Sequence, residues 1–499
     1  MRPTLFLLLT TLLLLCAEGC REDLGPEALT RRTCSSCHTH VPPDALPKSV
    51  WSERILPEMA ARMGIATFRY DPSQQLPPGE YDLARVHGFY PEAPTLRAGD
   101  WETVKKFILS NAPDTLTAPP ALELDSLRQF TPRTLSLDDR AGSLVSFIGE
   151  GMEGMVVGDG YGQLWNVSPE GEAKSILSLT LPLVHFTGGA DSLLLEIGNI
   201  YPTEASNGKL YRVRNGTPTV LQDSLHRPVY HLTEDLDGDG REEIVICEYG
   251  NFSGAVSLLD PKPDGTYSYR RLLGTAGATR LVGADLDRDG RRDLVVLHAQ
   301  GDEGIDVLTQ RDDGAFDRTV LVRFPAVWGT SWFELVDMDG DGDLDLVTVH
   351  GDNADYSNVV KPYHGVRIYT NDGENHFTET FFQALPGATR VVARDFDRDG
   401  DVDLAVAANF ADWRRQPESS FVYMEQRGTG AAPDFRTYGT PLALEGRWLI
   451  MEAGDYDGDG DEDLALGSFT LNPASVPNDL AVRWRESRTD LLLLDNTLR

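Results

Sequence analysis

The sequence predicts a mostly β chain: a seven-bladed β-propeller preceded by a small all-α domain. Three observations lead there. A nine-residue acidic pattern, Asp-x-Asp-x-Asp-Gly-x-x-Asp/Glu, begins at Asp235, Asp285, Asp337, Asp395 and Asp455. The starts lie 50, 52, 58 and 60 residues apart, a blade period rather than that of a helical solenoid. Each copy runs into a strand-like stretch such as Glu243-Ile244-Val245-Ile246, whereas Trp101, Val104, Lys105, Phe107 and Ile108 recur at helical spacing.

Composition narrows the function. The 499 residues hold 45 Lys+Arg against 78 Asp+Glu, a net charge of −33. The charge argues against nucleic acid as a partner, because phosphate binding needs a basic face. With 41% hydrophobic residues, the chain can fill sizeable cores.

The elements follow in chain order. Arg2 precedes an apolar run from Leu5 to Leu15, too short to span a bilayer but suited to a secretory signal over 1–19. Ala17-Glu18-Gly19-Cys20 resembles the lipobox of bacterial lipoproteins, which implies lipidation at Cys20 and a tether over 20–25. Arg21-Glu22-Asp23 resembles a signal that sends such proteins to the cell surface. The expected location is the outer membrane, facing the surface or the periplasm, with the lipid as the only membrane contact.

Once Cys16 and Cys20 are set aside, Cys34, Cys37 and Cys247 remain, too few for a disulfide framework. Cys247 reads as a buried strand residue. Cys34-Ser35-Ser36-Cys37-His38 is the attachment pattern for haem c: two thiols bond the porphyrin vinyl groups and the adjacent imidazole lies beneath the iron. Residues 26–112 resemble a class I monohaem cytochrome c, with a leading helix over Glu27 to Cys34 and a closing helix capped by Asp100. The resemblance implies a sixth iron ligand, for which Met59 is favoured, then Met63, then His87. Prolines 113, 119 and 120 mark a linker over 113–129.

In the acidic repeats, carboxylates one, three and five converge on a hard cation. Glycine six permits the turn, residue seven offers its carbonyl, and residue nine closes the cage. The sets are Asp235, Asp237, Asp239, Arg241 and Glu243; Asp285, Asp287, Asp289, Arg291 and Asp293; Asp337, Asp339, Asp341, Asp343 and Asp345; Asp395, Asp397, Asp399, Asp401 and Asp403; and Asp455, Asp457, Asp459, Asp461 and Asp463. Position twelve is Ile246, Val296, Thr348, Val406 or Leu466, so these are not EF-hands. Up to five calcium ions are expected, which would raise the net charge to about −23.

The region 130–499 resembles the FG-GAP/VCBS repeats of integrin-α-like propellers. Five blades carry loops, and two more without loops fit Ser143 to Thr180 and Leu181 to Leu225. The last blade runs out of chain one strand short. Residues 130–137, beginning Phe130-Thr131-Pro132-Arg133, are expected to close the ring as its outer strand.

Thirteen residues beyond each loop's first Asp, the count reaches one rim of the channel at Glu248, His298 and His350, with Glu196 aligned to Glu248. Arg280, Arg390 and Arg447 enter on neighbouring strands. These residues are either a candidate ligand or redox site or ionic lacing between blades. Connections bearing Tyr356, His364, Trp413, Arg414 and Arg415 lie towards the same end and would cover a ligand or dock the cytochrome. The preferred function is electron transfer by a monomeric, lipid-anchored cytochrome whose propeller docks a redox partner protein or small-molecule ligand. The alternatives are a haem-linked dehydrogenase of a small substrate such as a sugar, and a surface recognition or adhesion module.

Overall fold

The computed structural model describes residues 24–497 apart from 78, 152–153, 190, 354–356, 429–432 and 472–475. The predicted signal 1–19, the lipidation site Cys20, the stretch 21–23 and Tyr356 lie outside the described residues.

Seven sheets form the ring. Blade 1 comprises Val145–Glu150, Met155–Asp159, Gln163–Val167 and Ala173–Ser178; blade 2 comprises Leu183–Thr187, Ser192–Glu196, Gly208–Arg214 and Thr217–Leu225. Blades 3, 4 and 5 start with Pro228–Glu234, Ala278–Ala284 and Thr330–Val336, and blades 6 and 7 with Arg390–Arg394 and Trp448–Gly454. In each blade the chain steps outward through antiparallel neighbours.

The second strands explain why the repeats read as apolar runs. Glu243–Glu248, Asp293–His298, Asp345–His350 and Asp463–Ser468 are buried along their whole length, because neighbouring blades cover both faces. Outer strands such as Phe316–Arg323 are largely exposed and correspondingly polar. Aromatic wedges fill the gaps between blades: Phe130, Phe396, Phe421, Tyr423 and Trp448 belong to one cluster between blades 6 and 7.

Blade 7 takes its outer strand from the other end of the propeller sequence. Phe130–Leu135 pairs antiparallel with Leu491–Asn496, from Phe130 opposite Asn496 to Leu135 opposite Leu491. The pairing ties the two ends of the ring together and removes two strand edges. One element departs from the sequence reading. Asp125–Ser126, assigned above to the linker, pairs in parallel with Phe435–Gly439 as a fifth strand of blade 6. Leu122 and Leu124 pack on the adjoining core, so apolar side chains hold this part of the connection in place.

The helical region begins with Pro26–Cys34 and ends with Ala98–Asn111, and these two helices pack against each other. Leu29 meets Trp101, Val104 and Ile108 in one core. Asp100 lies inside the first turn of the closing helix rather than at its cap, paired to Arg97 with Nε to Oδ2 at 2.8 Å. A carboxylate there complements the exposed amides of the helix start. Between them, Lys48–Val50, the π-helical turn Trp51–Ile55 and Leu56–Arg62 run on as one rod that carries Met59.

This helical domain sits on the propeller end formed by the connections from second to third strands. Glu80 accepts the Thr203 hydroxyl at 2.8 Å and the Glu204 amide at 3.1 Å. Glu204 in turn accepts the Phe252 amide and the Ser253 hydroxyl. Phe252 packs with Ala61, Ala84 and Tyr90. The Tyr363 hydroxyl donates to the Ala45 carbonyl at 2.9 Å.

Candidate metal centres and the channel end

At the opposite end of the ring, each acidic loop joins the first two strands of its blade. Glycine six adopts φ between +82° and +98° in all five loops, a left-handed turn that brings its amide back onto the first aspartate. The Gly240 amide donates to Asp235 Oδ2 at 3.0 Å, and Gly342 does the same to Asp337. The carboxylates thus converge. One oxygen from each of Asp235, Asp237 and Asp239 lies within 4.8 Å of the others, and Asp285, Asp287 and Asp289 and Asp395, Asp397 and Asp399 repeat this. In blades 5 and 7 the ninth residue joins instead, as Asp337, Asp339 and Asp345 and as Asp455, Asp457 and Asp463.

The ninth residue also does work that spacing does not reveal. Asp345 accepts the Met338 amide at 2.9 Å on one oxygen and the Asn371 amide at 2.8 Å on the other, fastening the loop to the end of the third strand. Asp463 makes the same pair of bonds with Tyr456 and Asn496. Burial pushes the Asp403 and Asp463 carboxyls up to about 7 and also raises Glu243, Asp293 and Asp345. A set of hard oxygen donors crowded together at the cost of their own ionisation fits a divalent cation such as calcium.

In the helical domain, Cys34 ends its helix, and Cys37 is exposed; both thiols are free. Burial first, and then the neighbouring Cys37, push the Cys34 thiol up to about 11. The His38 Nδ1 lies 2.8 Å from the Thr39 carbonyl, so the Nδ1 proton is engaged there and the Nε2 lone pair is left for a ligand. Met59 and Met63 are half-buried against the helical core, whereas His87 is exposed at the end of the Glu80–Val86 helix. The residues present therefore fit covalent haem, with Met59 or Met63 closer to the apolar interior than His87.

The predicted rim resolves into separate tasks, and its residues do not meet in one open site. Glu196 accepts the Leu181 amide and the Tyr211 hydroxyl, both at 3.0 Å. Glu248 accepts the His226 amide at 2.7 Å and the hydroxyls of Ser257 and Tyr269. His298 lies 3.2 Å from Asp306, and His350 bonds Thr330 and Thr348 at 2.9 and 2.8 Å. All four are buried, and their partners lie on neighbouring strands, on the same strand or in the entering loops. These bonds fasten strands and entering loops within each blade. Arg447 is likewise buried and donates to the Asn409 carbonyl, and burial lowers it to about 10.

Arg280 and Arg390 instead point into the channel, on either side of Trp332, with guanidinium carbons 3.9 and 3.1 Å from the ring centroid. Glu334 pairs Arg280 at 3.1 Å and Glu452 pairs Arg390. Tyr230, His185 and His231 continue the cluster, the two imidazoles meeting Nδ1 to Nδ1 at 3.1 Å. Aligning the seven first strands at their period of two would have found this lining. The cations here are matched by carboxylates and stacked on an aromatic face.

The loops of the channel end behave as connectors. Trp413 packs on Trp484, Arg415 reaches the Pro119 carbonyl, Arg414 is exposed, and His364 is buried beside Val327. A cleft of about 560 Å³ separates Asp44 and the linker from Pro362 and Ala384.

A family model described as an FG-GAP-like repeat matches residues 235–296 and 285–348. No curated protein matches the chain. Among solved structures, the WD40 β-propeller domain of Doa1 is 8% identical with a TM-score of 0.42, covering 73% of this chain and 96% of that one. A candidate 6-phosphogluconolactonase from Bacteroides uniformis is 13% identical with a TM-score of 0.40, covering 58% and 83%. Neither likeness bears on function. The chain is a seven-bladed β-propeller, matched as FG-GAP-like repeats over residues 235–348, with a helical domain seated on one end.

Proposed function

We propose that this chain is an exported, lipid-anchored c-type cytochrome that transfers electrons, with a calcium-braced propeller that docks its partner or ligand. The observation that carries this reading is the Cys34, Cys37 and His38 segment: two free thiols three residues apart at a helix end, beside an imidazole whose Nδ1 is already bonded. The thiols would hold the porphyrin covalently, and His38 Nε2 and Met59 would bind the iron. Haem bound there supplies one-electron exchange. The chain's own part is to hold that group rigidly: Glu80, Glu204, Phe252 and Tyr363 fix the helical domain against three blades.

A propeller with FG-GAP-like repeats fits a docking or recognition module, and this supports the partner-binding half of the proposal. The dehydrogenase alternative is disfavoured by Glu196, Glu248, His298 and His350, which are buried and engaged by neighbouring strands and entering loops. The test is a denaturing gel stained for haem, followed by a redox titration of the mature protein. One covalent haem that titrates as a single one-electron centre is expected, and Cys34→Ser with Cys37→Ser should abolish retention. A protein without covalent haem, expressed with intact maturation machinery, would leave the recognition module alone.

A further inference from the structure

The five acidic loops differ at their seventh residue, and the difference decides what each can hold. In blades 3 and 4 that residue is arginine. The Arg241 guanidinium folds onto Asp239, with Nε 2.9 Å from Oδ2, and Arg291 pairs with Asp289 in the same way. Asp239 and Asp289 are the fifth-position carboxylates of the converging sets. Each of these loops therefore carries a cation of its own on a carboxylate of its converging set.

In blades 6 and 7 the seventh residue is aspartate. Asp401 and Asp461 are each 5% exposed, and in both the Oδ1 atom is buried with no hydrogen-bond partner. Each lies against the fifth-position carboxylate of its own loop, Asp399 or Asp459. A buried carboxylate oxygen that faces another carboxylate and meets no donor lacks a positive charge. Arg398 reaches the neighbouring Gly460 carbonyl and acts on Asp461 through its charge alone, without pairing to it. Blade 5 is intermediate: Asp343 is held by Arg288, reaching over from blade 4. Local charge runs the same way. The nine residues of the blade 4 loop hold four carboxylates and three arginines, whereas those of blade 7 hold six carboxylates and no arginine.

We propose that the loops of blades 6 and 7 are the high-affinity divalent-cation sites, with the seventh aspartate as an added carboxylate, and that blades 3 and 4 are self-neutralised and fill last. This rests on the calcium reading of the loops and deepens it. One unit charge a few ångströms from a divalent ion, at the dielectric of a protein surface, separates the classes by about tenfold or more in affinity.

The experiment is a titration of the chelator-stripped full chain with calcium chloride alone, with bound ions counted by native mass spectrometry and heats recorded by calorimetry. Two ions should bind at least about tenfold more tightly than the last two. Arg241→Asn should move one late ion to an earlier step, and Arg291→Asn serves the same purpose should the first variant fail to fold. Asp461→Asn should remove one early ion. Five ions of equal affinity, or late ions unmoved by loss of either arginine, would overturn the grading while leaving the calcium sites in place. No bound calcium at all would overturn the calcium reading itself.

Discussion

The two ends of the ring solve one problem, a carboxylate drawn out of water, in opposite ways. At the end that carries the helical domain, Glu248 meets one amide and two hydroxyls, and Glu196 meets an amide and a hydroxyl. At the other end, Asp337 and Asp339 converge on Asp345, whose own oxygens are already bonded to two amides. The first arrangement is complete with protein donors alone. The second gathers negative charge faster than it gathers donors, an arrangement that a bound cation would complete. One end should therefore be indifferent to chelation and the other governed by it.

The largest effect expected is that of chelator on the loop end. Each site held at hundredfold excess over its dissociation constant contributes about 2.7 kcal/mol, so stripping several should lower the thermal midpoint by many degrees. Hydrogen exchange should locate the loss in the loops of blades 3 to 7 and spare the end that carries the helical domain. An unchanged midpoint would erase the contrast between the two ends.

Next in size is Glu248→Ala, which strands the His226 amide and the Ser257 and Tyr269 hydroxyls. The cost should be about 3 kcal/mol and should be the same with calcium or chelator present, as read by denaturation in both buffers.

Acid should act through the channel. Burial pushes His231 down to about 3, and burial together with His231, Arg390 and Arg280 holds His185 well below its ordinary value. Thr187 donates to or accepts from His231 Nε2 at 3.0 Å. Because the folded values lie below the unfolded one, the unfolded chain takes up protons first. The contribution is complete above about pH 6.5 and is lost as pH falls towards about 3. With calcium saturating, the midpoint should fall across that window, and His231→Asn should flatten the slope. An identical slope in the variant would place the acid sensitivity elsewhere.

The smallest effect concerns the seat of the helical domain. The Arg62 guanidinium carbon lies 5.4 to 5.6 Å from the ring centroids of Phe89, Tyr90 and Phe252. Arg62→Met should loosen this contact by about 1 kcal/mol and hasten proteolytic release of the domain, leaving the calcium response untouched.

The acidic loops were legible because all their ligands lie within nine consecutive residues, so spacing alone places the oxygens. The Cys34 to His38 segment is local in the same sense. Ring closure was legible by counting, since a blade lacking one strand leaves an edge that Phe130 to Leu135 can cover. The rim was not. Glu196, Glu248, His298 and His350 do end second strands, yet the direction of each side chain follows from Tyr211, Tyr269, Asp306 and Thr330 on other strands or at their ends.

What sequence determined by itself was therefore short-range: the blade period, the buried second strands and the converging carboxylates, each governed by neighbours along the chain. What only the tertiary structure decided was long-range. Trp332 lies between arginines from two other blades, Glu80 meets Thr203 across a domain boundary, and Arg241 turns back on Asp239 while Asp461 keeps an oxygen unpaired. The reason is that a side chain's partner, unlike its secondary structure, is chosen by whatever surface the closed ring brings against it.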